Sequence, residues 1–268
     1  MTTVGVVTGA GRGMGLACAE RMAGTVDELL LVDLDEAAAK EAAGQLGGRA
    51  YVLDITDADG LRGLAERVAG LGTLRAVAHA AGISPSMADW RRIFEVDFVA
   101  TARLAETLRP LATAGTAMVC FASMAPLLDP TVPPPGALAA LDEPLDPGLT
   151  GRLREALGES IEDTGTAYSW AKRGVHRFVR QEAVRLGPAG ARICSVSPGI
   201  IDTPQGRQEA GEHPSMAALV ERTPLARRGQ AAEVAAVVAF ALSAEASFVN
   251  GIDIPVDGGV LAALGAAR

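Results

Sequence analysis

Apolar residues along this chain fall into two kinds of run that alternate. Short runs rich in valine, isoleucine and leucine occupy residues 4–8, 28–33, 49–54, 74–80, 116–123, 191–197 and 252–256. Each has the length of a buried strand and is bounded by turn-forming residues. Between them lie alanine-rich stretches with leucine and valine at helical spacing, at 16–22, 35–46, 58–70, 88–111, 166–186 and 231–243. Strand and helix in strict alternation predict an α/β, doubly wound architecture: a seven-stranded parallel sheet with helices on both faces. No repeat or linker interrupts the pattern, so one domain over residues 1–268 is expected.

Two segments depart from that pattern. Residues 126–165 hold seven of the fifteen prolines, which marks an irregular connection. Within it Leu149, Leu153, Leu157 and Ile161 recur every four residues, as on an amphipathic helix. The segment reads as an insertion after the fifth strand, carrying one or two short helices. Because it leaves a strand end, it is expected over the ligand crevice or at a subunit contact. Residues 199–228 are polar, follow another strand end and include a short helical piece. They are expected to form a substrate loop.

Composition narrows the partners. The 268 residues carry a formal net charge of −8 and no basic cluster, which argues against nucleic acid or an anionic membrane surface. The longest apolar run, 231–241, contains Glu233 and is too short to span a bilayer. No basic stretch followed by an apolar run marks a signal peptide. Cys18, Cys120 and Cys194 are far apart inside apolar segments, as buried free thiols would be. A cytoplasmic soluble protein is the expectation.

Candidate chemistry begins at the first strand. It runs into Gly9, Gly11, Arg12, Gly13, Met14 and Gly15, and then into a helix. A strand, a glycine turn and a helix N-terminus make a Rossmann-type pyrophosphate site. The second strand ends in Asp33, whose carboxylate suits the adenosine ribose and would repel an added 2′-phosphate. It could equally cap the helix beginning near Glu36. Arg12 is the one nearby feature favouring NADP, and the acid outweighs it, so NAD is expected. The fifth strand ends in Ser123, a hydroxyl placed either to face a substrate or to bond local backbone. Tyr168 and Lys172 lie one helical turn apart. An ammonium beside a phenol favours the phenolate and suits the pair to acid–base work on an alcohol or carbonyl. Alone, the pair is more often a surface tyrosine packed on a lysine stem.

Taken in order, Thr8 to Gly15, Asp54, Ser123, Tyr168-x-x-x-Lys172 and Pro198-Gly-x-x-x-Thr203 resemble the classical short-chain dehydrogenase/reductase family. The similarity covers nearly the whole chain. The long insertion and the stretch Ala246 to Gly259 are most similar to bacterial 3α-hydroxysteroid dehydrogenase/carbonyl reductases. The resemblance implies that Tyr168 is the acid or base, that Lys172 lowers its pKa and binds the nicotinamide ribose, and that Ser123 bonds the substrate oxygen. It implies NAD contacts from Gly9, Gly11, Gly13 and Met14 to phosphate and from Asp33 to ribose. Asp54 and Ile55 would meet adenine, and Pro198, Ile201 and Thr203 would lie near the carboxamide. It also implies a homodimer or homotetramer.

Two positions depart from the family pattern. Asp97 stands where an asparagine is usual, in the proton relay to the lysine. Its backbone is expected to do the work, with Asp97→Asn retaining about half the activity or more. A carboxylate facing Lys172 would instead shift the coupled titration of the site. The run His79-Ala80-Ala81-Gly82 replaces a usual pair of asparagines. Backbone contacts from Ala80, Ala81 and Gly82 to the cofactor would survive, while sheet support at Ala80 is in question. His79 and His176 are expected to be structural, and His213 falls in the variable loop. With no cluster of histidines, a metal site is not expected. The function expected is an NAD-dependent oxidoreductase acting between a secondary alcohol and its ketone, with a bulky apolar or steroid-like substrate. A 3-oxoacyl or sugar-type carbonyl is the alternative within enzymes. A non-catalytic dinucleotide-binding regulatory protein is the alternative outside them.

Overall fold

A computed structural model describes residues 1–129, 131–212 and 215–266. The first half of the chain forms β1 (Thr3–Thr8), α1 (Gly13–Met22), β2 (Glu28–Asp33), α2 (Glu36–Leu46), β3 (Arg49–Val52), α3 (Ala58–Leu71) and β4 (Thr73–His79). It continues through α4 (Trp90–Phe94), α5 (Ala100–Leu108), β5 (Ala117–Phe121), α6 (Ala125–Leu128), α7 (Pro135–Leu141) and α8 (Leu149–Leu157). The remainder comprises α9 (Thr164–Leu186), β6 (Arg192–Pro198), β7 (Ile201–Asp202), α10 (Pro204–Glu212), α11 (Ser215–Arg222), β8 (Gly229–Gln230), α12 (Ala231–Leu242), β9 (Asp253–Val256) and α13 (Val260–Ala266).

The seven expected strands all form one parallel sheet in the order β3-β2-β1-β4-β5-β6-β9. Successive side chains point to opposite faces, so Leu30 and Val32 enter one core while Leu29 and Leu31 enter the other. The first core packs against α3, α5 and α9, and the second against α1, α2 and α12. Strand order reverses between β1 and β4, which opens a crevice at the carboxyl ends of those strands.

Several local features differ from the sequence pattern. The helix expected over 88–111 starts at Trp90 and is broken by a π-helical turn, Glu95–Val99, before α5 resumes. The repeat from Leu149 to Ile161 is an α-helix only as far as Leu157. Gly158 takes a φ of +69°, and a 3₁₀ turn then carries Ile161 into the core. Residues 199–228 contain two helices, α10 and α11, and a two-residue strand pair, β7 with β8, closes this segment at its base. His213 lies outside the described residues.

The insertion divides in two. Its start, α6, stays at the crevice, where Leu128 lines the substrate-side cavity. The helix α7 packs on the flank of α9, and α8 packs on α7 and on the 3₁₀ turn that follows it, instead of over the crevice. Ala137, Leu141, Leu149 and Leu153 are buried there, and Asp142 accepts a two-pronged bond from Arg177 at 2.9 and 2.7 Å. Apolar residues on one face of each short helix decide this, because α9 covers α7, and α7 with the 3₁₀ turn covers α8.

Candidate active site

The glycine turn is built for an anion. Gly9 and Gly13 have φ of +67° and +58°, a conformation that L side chains rarely adopt. A Cβ on Gly15 would collide with the Gly9 carbonyl, so glycine there lets α1 begin directly against the turn. No side chain caps the N-terminus of α1, and its first turn contains no acid. Its N–H groups and dipole are therefore left for an anionic ligand. Asp33 closes the turn: its Oδ2 accepts from the Gly11 N–H at 2.8 Å and its Oδ1 from the Asp35 N–H at 3.0 Å. The helix cap is Asp35, which accepts from Ala38 at 3.1 Å, so Asp33 is free of that task.

A cavity of about 330 Å³ opens beside this turn. Gly9, Arg12, Gly13, Met14, Asp33, Asp54, Ile55, Ala80, Ala81, Gly82 and Thr203 line it. Gly11 is not part of the wall and acts through its bond to Asp33. Asp54 is less free than expected. Its Oδ1 accepts from the Thr56 N–H and hydroxyl at 2.9 and 2.7 Å, and Arg92 holds its Oδ2 at 3.0 Å. Burial opposes the charge on Asp54, but these donors hold its pKa below the usual carboxylate value. Arg92 also lines the cavity, and nothing in the sequence pattern marked it.

A second cavity, of about 460 Å³, holds Ser123, Tyr168, Lys172, Asp97, Pro198 and Ile201. It shares Met14, Ala80, Gly82 and Thr203 with the first, so the two form one continuous cleft. The other walls are mostly apolar, including Ile83, Phe121, Met124, Leu128, Ile200 and Leu219. Among the described lining residues of this cavity, Lys172 is the only cationic side chain.

Lys172 is fixed from three directions. Its ammonium donates to the Phe121 carbonyl at 3.0 Å, lies 3.3 Å from Asp97 Oδ1 and sits 5.5 Å from the Tyr168 ring centre. Burial works against the ammonium, yet the Asp97 and Tyr168 charges more than offset it, and the pKa of Lys172 is raised. Ser123 Oγ accepts from the Ala125 N–H at 3.1 Å. The local backbone bond considered for this serine exists, and it leaves the hydroxyl proton available to donate.

At Asp97 the backbone was expected to do the work, and in the structure the side chain is engaged as well. Its carboxylate points at Lys172. The backbone does take part locally, since the Asp97 carbonyl accepts from the Thr101 hydroxyl at 3.1 Å. His79 is structural. Its ring bridges Thr8 at 2.7 Å and Thr101 at 2.9 Å, and burial followed by Lys172 pushes its pKa down to about 3. This bridge ties β4 to β1 and α5 and answers the question of sheet support beside Ala80. Ala80 itself donates its N–H to the Thr8 carbonyl at 3.2 Å. His176 turns away to Ser197 at 2.8 Å. Cys18, Cys120 and Cys194 are buried free thiols. Among the described residues, no cluster able to hold a metal ion occurs and no helix is long and apolar enough to cross a membrane.

Comparison with known proteins agrees with this geometry. A family model described as enoyl-(acyl carrier protein) reductase matches residues 9–128 and 156–261. The chain belongs to the short-chain dehydrogenase/reductase family. Most of the insertion falls in the gap between the two matched stretches. A short-chain dehydrogenase/reductase, bsc3, of Alternaria brassicicola is 32% identical over 266 residues, covering 97% of this chain and 96% of the relative. The cis-4-hydroxycyclohexanecarboxylate dehydrogenase of Sinomonas cyclohexanicum is 31% identical over 274 residues, with the same coverage of 97% and 96%. Among solved structures, a short-chain glucose/ribitol dehydrogenase from Brucella melitensis superimposes with a TM-score of 0.76 at 26% identity, covering 97% of this chain and 96% of the other. The family binds nicotinamide dinucleotides, and the glycine cradle of this chain fits that group.

Proposed function

We propose that the protein is an NAD-dependent oxidoreductase that interconverts an uncharged, largely apolar secondary alcohol and its ketone. The observation that carries this is the meeting of Ser123, Tyr168 and Lys172 in one apolar-walled cavity that opens into the dinucleotide cleft. When bound, the dinucleotide supplies the hydride acceptor or donor. Ser123 would hold the substrate oxygen. Tyr168 would take the hydroxyl proton in oxidation or give it back in reduction, and Lys172 would stabilise the phenolate. The glycine turn would hold the pyrophosphate, and Asp33 the adenosine ribose. Pro198, Ile201 and Thr203 would border the nicotinamide. Residues 199–228, including Gln205 and Leu219 on the cavity wall, would form the substrate loop.

NAD is favoured over NADP because the Asp33 carboxylate stands at the ribose end, held by backbone N–H groups and by no cation among the described residues, where a 2′-phosphate would meet its charge. An apolar substrate is favoured over an acyl-carrier or sugar substrate. The carriers bear phosphate, and the catalytic cavity offers no second cation among its described residues. A sugar would bury several hydroxyls against walls made mostly of apolar side chains. A purely regulatory role leaves the joint placement of serine, tyrosine and lysine unexplained. The family relatives named for cyclic and sugar alcohols keep both a ring alcohol and a polyol in the test. We further take the protein to be a cytoplasmic homodimer or homotetramer.

The test is a panel of a ketosteroid, a cyclohexanol, a polyol and a 3-oxoacyl thioester, assayed by NADH absorbance with NADPH in parallel. Turnover is expected with the ring substrates and NAD. Faster turnover with NADPH would overturn the assignment of Asp33, and activity confined to the thioester would overturn the substrate class. Tyr168→Phe is expected to abolish turnover while NADH still binds. Retained turnover would refute the role of Tyr168.

A further inference from the structure

The Asp97 side chain has no exposure to solvent. Its Oδ1 accepts from the Ile83 N–H at 3.1 Å and meets Lys172 at 3.3 Å. Its Oδ2 is buried with no hydrogen-bond partner. Three features bring it there. The π-helical turn Glu95–Val99 carries it. The ring of the next residue, Phe98, packs against Gly174 of α9, where a Cβ would lie 2.7 Å away. Gly82 leaves the space for the carboxylate, since a Cβ there would come within 2.6 Å of Oδ1. An asparagine oxygen could accept the same two contacts. What a carboxylate adds is a full negative charge beside the ammonium that serves Tyr168.

We propose that Asp97 is a positioning residue whose carboxylate is the counter-ion of Lys172 and keeps Tyr168 a proton donor near neutral pH, biasing the enzyme toward carbonyl reduction there. The proposal rests on the oxidoreductase function above. A lone ammonium beside a phenol promotes the phenolate. A carboxylate beside that ammonium cancels much of its field, so the coupled pair gives up its first proton at higher pH. In reduction, a bound reduced dinucleotide would supply hydride to the carbonyl carbon, the C=O π pair would move to oxygen, and the Tyr168 O–H proton would neutralise it. In oxidation Tyr168 must first be ionised, so that direction gains as pH rises.

The surrounding groups leave Asp97 as the buried charge that sets this balance. From β4, His79 is neutral, its pKa pushed down to about 3. From β5, burial pushes the Cys120 thiol up to about 12. Phe121 offers a carbonyl and Ser123 a hydroxyl. From α9 come Tyr168 and Lys172, with Asp163 at its exposed N-cap accepting from Thr166. Burial raises the pKa of Asp97 itself, and the Lys172 ammonium and the Ile83 N–H oppose that rise. The pKa of Asp97 stands above the usual carboxylate value all the same, so its charge depends on the Lys172 ammonium 3.3 Å away.

The chain has two tyrosines, Tyr51 and Tyr168, which permits a direct readout. In a Tyr51→Phe background, phenolate absorbance of the cofactor-free protein reports Tyr168 alone. Asp97→Asn in that background is expected to move the phenolate transition down by about one pH unit. In the holoenzyme the acid limb of alcohol oxidation should move down with it, and the ratio of reduction to oxidation at neutral pH should fall. The oxidation plateau should stay at about half or more of the starting rate. Circular dichroism establishes that both variants are folded. An unmoved phenolate transition, or one that moves upward, overturns the proposal whatever the turnover. Loss of the oxidoreductase function itself is read separately, from Tyr168→Phe and the substrate panel.

Discussion

Two ion pairs built on buried carboxylates in this molecule differ in a way that separates support from chemistry. Glu182 and Asp97 both have side chains with no solvent exposure. Glu182 is clamped by Arg109, Nε to Oε1 at 2.5 Å and Nη2 to Oε2 at 2.9 Å, with Arg185 adding a contact at 3.3 Å. Both of its oxygens are filled by a rigid fork, which is how a carboxylate is held for structure. Asp97 uses one oxygen, on a lysine and a backbone N–H, and leaves the other bare. A point-charge ammonium can serve two neighbours at once, where a guanidinium fork would fix the carboxylate alone. The first pair ties α9 to the turn at 109–111, outside both walls of the cleft. The second lies in the cleft wall. An underfilled buried charge is costly, and here it stands where titration matters.

The contrast can be broken in order of effect. Glu182→Ala leaves the half-buried Arg109 guanidinium with only the longer Glu106 contact at 3.4 Å, and is expected to cost about 2–3 kcal/mol. That should appear as a fall of about 10 °C in Tm, with turnover per folded molecule unchanged. Lys172→Met should do the reverse. Turnover falls by about 10²–10⁴-fold, while calorimetry shows a smaller loss of stability than Glu182→Ala, because Asp97 can take up a proton once its partner is gone. Equal losses of stability would erase the distinction between the pairs. Replacing the structural pair together, Arg109→Met with Glu182→Leu, should change stability by only about 1–2 kcal/mol in either direction. A large loss there would show that Arg109 and Glu182 do more than hold each other.

What was legible in the sequence follows from the range of the forces involved. The seven strands could be read because each carries its own apolar run, and a buried parallel strand needs little else to declare itself. The glycine turn could be read because backbone conformation restricts it to glycine. Asp33 was weighed as a possible cap for α2, and the cap is Asp35, since two carboxylates two residues apart give one signal. Met124, Ile200 and Leu219 on the cavity wall were missed because a residue that lines a pocket has the same chemistry as one that fills a core. Arg92 was missed because its partner, Asp54, lies 38 residues away. The resting place of α7 and α8 depended on which apolar surface was nearest once the chain had folded.

The sequence by itself determined the doubly wound sheet, the dinucleotide turn and the pairing of Tyr168 with Lys172. Each is fixed by contacts within one strand, one turn or one helical repeat. Only the tertiary structure decided how Lys172 is charged. Asp97 is 75 residues from it along the chain, and the two meet through the π-helical turn, the Phe98 contact with Gly174 and the space left at Gly82. Electrostatics at a few ångströms in a dry interior depends on distance and burial, and neither is written in the order of residues.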